Sequence, residues 1–127
     1  MKLLIVEDEE VLARVLKEKF ERENFEVDVA SDGEEAMTNI SKFVPDVVLL
    51  DLILPKKHGL EVLADLKADE EFKKIPVIVL TNLDTDEDIK KALALGADDY
   101  FVKVQHPIDE VVEKVKLLSI KSRTKKA

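Results

Sequence analysis

The chain has 127 residues, which fits one domain able to bury about two thirds of its unfolded surface, and 46% hydrophobic residues are enough for a core without staples. The absence of cysteine excludes disulfides, thiol nucleophiles and thiolate zinc sites, and fits a reducing compartment. A net charge of -8 argues against the basic field that non-specific nucleic-acid binding needs.

Leu3–Val6 is an unbroken apolar run that stops at Glu7, so it reads as a buried strand and is too short for a signal peptide. Val11, Leu12, Val15, Leu16 and Phe20 follow with helical spacing. The second strand is expected over Val27–Ala30, and Ser31-Asp32-Gly33 then reads as a turn and helix start before Ala36, Met37 and Ile40. The third strand is expected over Val47–Leu50, with Asp46 as a turn residue before it, and Leu60, Val62, Leu63 and Leu66 mark the third helix. Val77–Leu80 is the fourth strand; Ile89, Ala92, Leu93 and Leu95 mark the fourth helix, with Gly96 as its C-terminal cap. Tyr100–Val102 is the fifth strand, and Pro107 stands in the first turn of a fifth helix marked by Ile108, Val111, Val112, Val115 and Leu118. Five β-α repeats imply one α/β domain, a parallel sheet with helices on both faces and right-handed crossovers. No run is long enough to span a bilayer, so the protein is expected in the cytoplasm.

Doubly wound sheets bind ligands at the carboxyl ends of their strands. Glu7 and Asp8 follow the first strand, Asp51 ends the third, Thr81 ends the fourth and Lys103 ends the fifth. Asp51 looks misplaced inside PDVVLLDLILP, because an unpaired buried charge is costly. At a strand end it stands instead at the mouth of the core. Three converging acids repel one another, and a divalent cation relieves that repulsion. Magnesium takes hard oxygen ligands, commonly one or two carboxylates and a phosphate. A carboxylate can also act as nucleophile and form an acyl phosphate. The Lys103 ammonium then adds positive charge, and the Thr81 hydroxyl can donate to a phosphoryl oxygen.

Four stretches, LLIVEDE, PDVVLLDLILP followed by HG, VIVLTN, and GADDYFVK, together resemble the receiver domain of two-component response regulators. The resemblance runs from Lys2 to Leu118, so residues 1–120 are read as the receiver domain and 121–127 as a basic tail. It implies a flavodoxin-like fold, with a five-stranded sheet in order 2-1-3-4-5 and five helices. It implies that Asp51 accepts a phosphoryl group from a sensor histidine kinase, a phosphotransfer protein or a small donor. Glu7, Asp8, Asp51 and the backbone carbonyl of Ile53 would hold Mg2+, and Thr81 and Lys103 would contact the phosphoryl oxygens. Pro55 and Gly59 fit the family's tight loop after the acceptor. Thr81 and Tyr100 would form the switch that alters a partner-binding face made by the fourth helix, fifth strand and fifth helix. Such a module is not an enzyme beyond its own phosphorylation and dephosphorylation, and contacts neither nucleic acid nor membrane directly. Two positions depart from the family. Val104 follows Lys103 where proline is usual, and a cis peptide there costs about 3 kcal/mol without proline, so another loop path is expected. Asn82 is larger than the usual residue after the threonine and implies a longer-lived phosphorylated state.

Two other functions compete. A haloacid-dehalogenase-type phosphatase needs a second acid two residues after its nucleophile, where this chain has Ile53. A degenerate or engineered receiver acting only as a scaffold is disfavoured because every active-site residue is present. Asp84, Asp86 and Asp88 imitate the start of a calcium loop, but Ile89 and Leu95 replace the glycine and glutamate it needs, so an acidic helix N-terminus is expected. His58 and His106 are not grouped as metal ligands and read as loop residues, and Lys56 and Lys57 read as solvated. The terminal KSRTKKA reads as a solvated tail or the start of a linker rather than a nucleic-acid or membrane contact.

Overall fold

A computed structural model describes residues 1–126, with side chains through residue 121. Its elements are β1 (Lys2–Val6), α1 (Glu10–Arg22), β2 (Glu26–Ala30), α2 (Gly33–Phe43), β3 (Val47–Leu50), α3 (Gly59–Ala68), β4 (Val77–Thr81), α4 (Asp86–Ala94), β5 (Asp99–Val102) and α5 (Ile108–Lys126). All strand pairs are parallel and the order is β2-β1-β3-β4-β5, the flavodoxin-like arrangement implied by the sequence. Of the basic stretch 121–127, residues 121–126 continue the backbone of α5, and Ala127 lies outside the described residues.

The continuous apolar strands are explained by two cores. Successive side chains of a strand point to opposite faces. Leu3 and Ile5 of β1, Val47 and Leu49 of β3, and Ile78 and Leu80 of β4 pack against Leu16 and Phe20 of α1 and Val111, Val112 and Val115 of α5. The alternate residues Leu4, Val6, Val48, Leu50, Val77 and Val79 pack against Ala36 and Ile40 of α2, Val62, Leu63 and Leu66 of α3, and Ala92 of α4. A strand buried on both sides has no polar face to alternate with.

Local chemistry sets the element ends. Asp32 caps α2 by accepting from the Glu35 amide, and Thr85 caps α4 by accepting from the Asp88 amide. His58, expected as a plain loop residue, caps α3: its Nδ1 accepts from the Leu60 amide at 3.2 Å. α4 stops at Ala94, one residue short of the expected pattern, and Gly96 takes φ 110 to turn the chain toward β5. Asp46 is more than a turn residue, since its Oδ2 accepts from the Lys2 amide at 2.8 Å at the start of β1.

Candidate functional site

β1 lies between β2 and β3, so the direction of sheet growth reverses there and the chain exits of β1 and β3 adjoin. Val6 pairs with Leu50, which places Glu7 and Asp51 side by side just past the ladder. Their backbones stay tied to it: the Glu7 amide donates to the Ala30 carbonyl and the Asp51 amide to the Val6 carbonyl, each at 3.0 Å. Both carboxylates are buried, Glu7 3% and Asp51 4% exposed, whereas Asp8 is exposed. One oxygen from each of Glu7, Asp8 and Asp51 lies within 4.8 Å of the others.

Lys103 enters from the far side. Thr81 pairs with Val102, and the Lys103 amide donates to the Thr81 carbonyl at 2.9 Å, which carries the β4–β5 ladder to the site. The Lys103 ammonium then reaches Asp51 Oδ2 at 2.8 Å and Glu7 Oε1 at 2.7 Å. Asp51 Oδ1 accepts from the Ile53 amide at 3.1 Å, and Glu7 Oε2 accepts from the Glu9 amide at 3.1 Å. This network answers the puzzle of Asp51: its charge is paired and hydrogen-bonded rather than bare.

Burial pushes the Glu7 carboxyl up to about 7; the hydrogen bonds from Lys103 and the Glu9 amide oppose this, and the Asp51 charge adds to it. For Lys103 the balance is reversed. Burial pulls its ammonium down, but Asp51 and Glu7 more than compensate, so it stays charged with a raised pKa. Burial outweighs pairing for the acid, and pairing outweighs burial for the amine.

Thr81 is fully buried, and its Oγ1 is the buried side-chain oxygen or nitrogen left without a hydrogen-bond partner among the described residues. Such groups are rare because leaving one unsatisfied is costly. A hydroxyl in that position at a strand end suits an incoming oxygen-rich group. Asn82 is exposed at the same edge. Tyr100 is half-buried, and its hydroxyl donates to the Leu83 carbonyl at 2.6 Å, on the loop that follows Thr81. Burial, helped by Asp88, Asp51 and Asp84, raises that phenol to about 12.

The structure therefore gathers Glu7, Asp8, Asp51 and Lys103 in one pocket, with Thr81 at the adjoining end of β4. The peptide after Lys103 is trans, as is every other among the described residues. The loop closes by the Gln105 and His106 amides donating to the Val102 carbonyl, and His106 Nδ1 accepts from the Val102 amide at 3.0 Å. Some partners escaped the sequence reading. Glu9 brings a third carboxylate to 3.8 Å from Lys103. Lys56, read as solvated, is indeed exposed and also lies 3.5 Å from Asp32, whereas Lys57, read the same way, is half-buried and pairs with Asp65. Asp32 is held below the usual carboxylate range by the Glu35 amide, with a smaller contribution from Lys56.

The acid trio fits a magnesium ion in donor type, since all three offer hard oxygens, and the orphaned Thr81 hydroxyl fits a phosphoryl group beside it. This sheet order with such a pocket at its carboxyl edge defines the class of flavodoxin-like receiver modules. The response regulator receiver domain model matches residues 3–116, and the chain belongs to that family, the signalling proteins of two-component systems. It is 39% identical over 117 residues to the alkaline phosphatase synthesis transcriptional regulatory protein PhoP of Bacillus subtilis, covering 92% of this chain and 48% of that protein. It is also 39% identical over 102 residues to the phosphate regulon transcriptional regulatory protein PhoB of Rhizobium meliloti, covering 80% of this chain and 45% of that one. The chain thus spans about half the length of the curated relatives it matches. Among solved structures, the receiver domain of Francisella response regulator 1452 superposes with a TM-score of 0.88 at 33% identity, over 95% of this chain and 98% of that one. The Mn(2+)-bound form of response regulator Rcp1 superposes with a TM-score of 0.79 at 31% identity, over 91% of each chain.

Proposed function

We propose that Asp51 accepts a phosphoryl group from a sensor histidine kinase, a phosphotransfer protein or a small donor such as acetyl phosphate. One Asp51 oxygen attacks phosphorus. The bond from phosphorus to the donor's imidazole nitrogen or acetate oxygen breaks, and the leaving group takes the electron pair. Glu7, Asp8, Asp51 and the Ile53 carbonyl would hold Mg2+, which supplies positive charge beside the transferring group. The Lys103 ammonium, already on Asp51 Oδ2, adds further positive charge to neutralise the transferring group.

The observation that carries this reading is the unpartnered Thr81 hydroxyl at the end of β4, the strand paired with β3, which Asp51 follows in a buried, paired state. A phosphoryl oxygen gives that hydroxyl an acceptor. Thr81 would then draw the loop that carries Leu83, and Tyr100, bonded to the Leu83 carbonyl, would carry the change to the face of α4, β5 and α5. A protein partner read by that face is the output; this unit itself contacts neither DNA nor membrane. Among the described residues no helix is long and apolar enough to cross a bilayer, and we place the module in the cytoplasm, acting as a switch and not as a turnover enzyme.

The test is incubation with acetyl phosphate and MgCl2, followed by intact mass. The reading expects one added phosphoryl group, lost on chelation and lost in Asp51→Asn. Labelling that persists in Asp51→Asn contradicts it.

A further inference from the structure

The segment 52–58 between β3 and α3 carries Ile53 beside the phosphoacceptor, and it must hold one shape for that carbonyl to serve a cation. Its ends are fixed from within. The Ile53 amide donates to Asp51 Oδ1 at 3.1 Å, and the Gly59 amide donates to the Leu52 carbonyl at 3.0 Å. The approach there is so close that a Cβ on Gly59 would stand 2.4 Å from the Asp51 carbonyl oxygen.

The tip of the loop is held by another element, the start of α2. The Gly33 amide donates to the Pro55 carbonyl at 3.4 Å, and Lys56 Nζ lies 3.5 Å from Asp32 Oδ2. A Cβ on Gly33 would stand 2.0 Å from the Lys57 carbonyl oxygen and 2.5 Å from Lys57 Cβ, so only glycine admits this seam. Lys56 has φ 68, a left-handed conformation that residues with a side chain avoid. Such strain persists only where the surroundings over-determine it. Asp32 is suited to impose it: the residue is 8% exposed, Oδ1 is fixed by the Glu35 amide at 2.8 Å, and Oδ2 is left to face Lys56.

We propose that Asp32, Gly33 and Lys56 form a latch that clamps the β3–α3 loop to the start of α2 and so sets the cation affinity of the Asp51 pocket. Asp32 and Lys56 act as positioning residues, and they touch neither the cation nor the phosphoryl group. The proposal rests on the metal reading above. It adds that affinity depends on residues outside the acid trio, because a ligand supplied by a loop is only as well placed as the loop.

The test is titration of the whole chain with MgCl2 alone, followed by calorimetry. Asp32→Asn keeps the α2 cap, since asparagine caps as well as aspartate, but loses the charge facing Lys56. Asp32→Asn and Lys56→Gln are each expected to raise Kd about threefold, the scale of one exposed ion pair. The double variant should lose no more than either single one, because both remove the same contact. Lys56→Arg should bind like the parent. Gly33→Ala, which must push the Lys57 carbonyl away, should raise Kd about tenfold. Metal-free thermal unfolding confirms that each variant is folded. If the parent binds Mg2+ and Asp32→Asn and Lys56→Gln bind it equally well, the latch is wrong and the metal reading stands. If the parent binds none, both fall together.

Discussion

Thr81→Val separates the cost of the pocket from its use. Thr81 is fully buried and its hydroxyl has no acceptor among the described residues, so the metal-free protein carries a desolvated polar group with nothing in return. Replacing the hydroxyl by a methyl keeps the β-branched shape that suits β4 and removes that cost, which is about 1–3 kcal/mol for an unsatisfied buried group. Some relaxation of the hydroxyl within the pocket reduces the gain, so about 1 kcal/mol of added stability is expected, or about 3–5 °C in Tm for a domain of this size. The sign reverses once a phosphoryl analogue is present. With MgCl2 and beryllium fluoride the parent gains a hydrogen bond from Thr81 that the variant cannot make, so its Tm should rise more than that of the variant. Differential scanning calorimetry in both states reads the two effects. A metal-free Thr81→Val that is less stable than the parent, or an equal rise on adding the analogue, refutes the reasoning.

Three further outcomes follow from the same network. Between pH 4.5 and about 7 the folded protein keeps a proton on Glu7 that the unfolded chain has released, so raising the pH through that window removes up to about 3 kcal/mol of metal-free stability; urea unfolding at pH 5 and pH 7 should show this loss shrinking in Glu7→Gln and when Mg2+ is added. Lys103→Met leaves Glu7 and Asp51 facing each other without their cation and should cost at least about 3 kcal/mol at pH 7; the same unfolding assay checks it, and added Mg2+ should restore part of the loss. Asn82→Ala, which opens the exposed edge beside Thr81, should shorten the lifetime of the phosphorylated protein in a timed dephosphorylation assay, and an unchanged lifetime removes any role for Asn82.

The strands and the strand-end placement of the main candidate residues were legible for one physical reason. Parallel strands covered on both faces are continuously apolar, so the first polar residue after each run marks a strand end, and strand ends are where such sheets bind. Glu7, Asp51, Thr81 and Lys103 all stand at such breaks, and all lie at one edge of the sheet. The strand order itself came from the resemblance of four motifs and not from periodicity. Contacts that depend on loop paths were not legible. Glu9 stands in the turn after β1, and its approach to within 3.8 Å of Lys103 depends on the path of that turn. Lys56 meets Asp32 across two loops that have no periodic pattern. His58 became the cap of α3 because PKKHG offers no serine, threonine, aspartate or asparagine for the task, and a ring nitrogen accepted the amide instead. The unpartnered state of the Thr81 hydroxyl is likewise a property of the folded pocket, and no sequence pattern announces it.

The most direct measurement is to phosphorylate the protein with acetyl phosphate and Mg2+, reduce it with borohydride, and map the peptides. An acyl phosphate on Asp51 is converted to homoserine at that position alone, and the product should be absent without metal and absent from Asp51→Asn. Homoserine at any other aspartate, or a stable phosphoester on a hydroxyl residue in its place, contradicts the account.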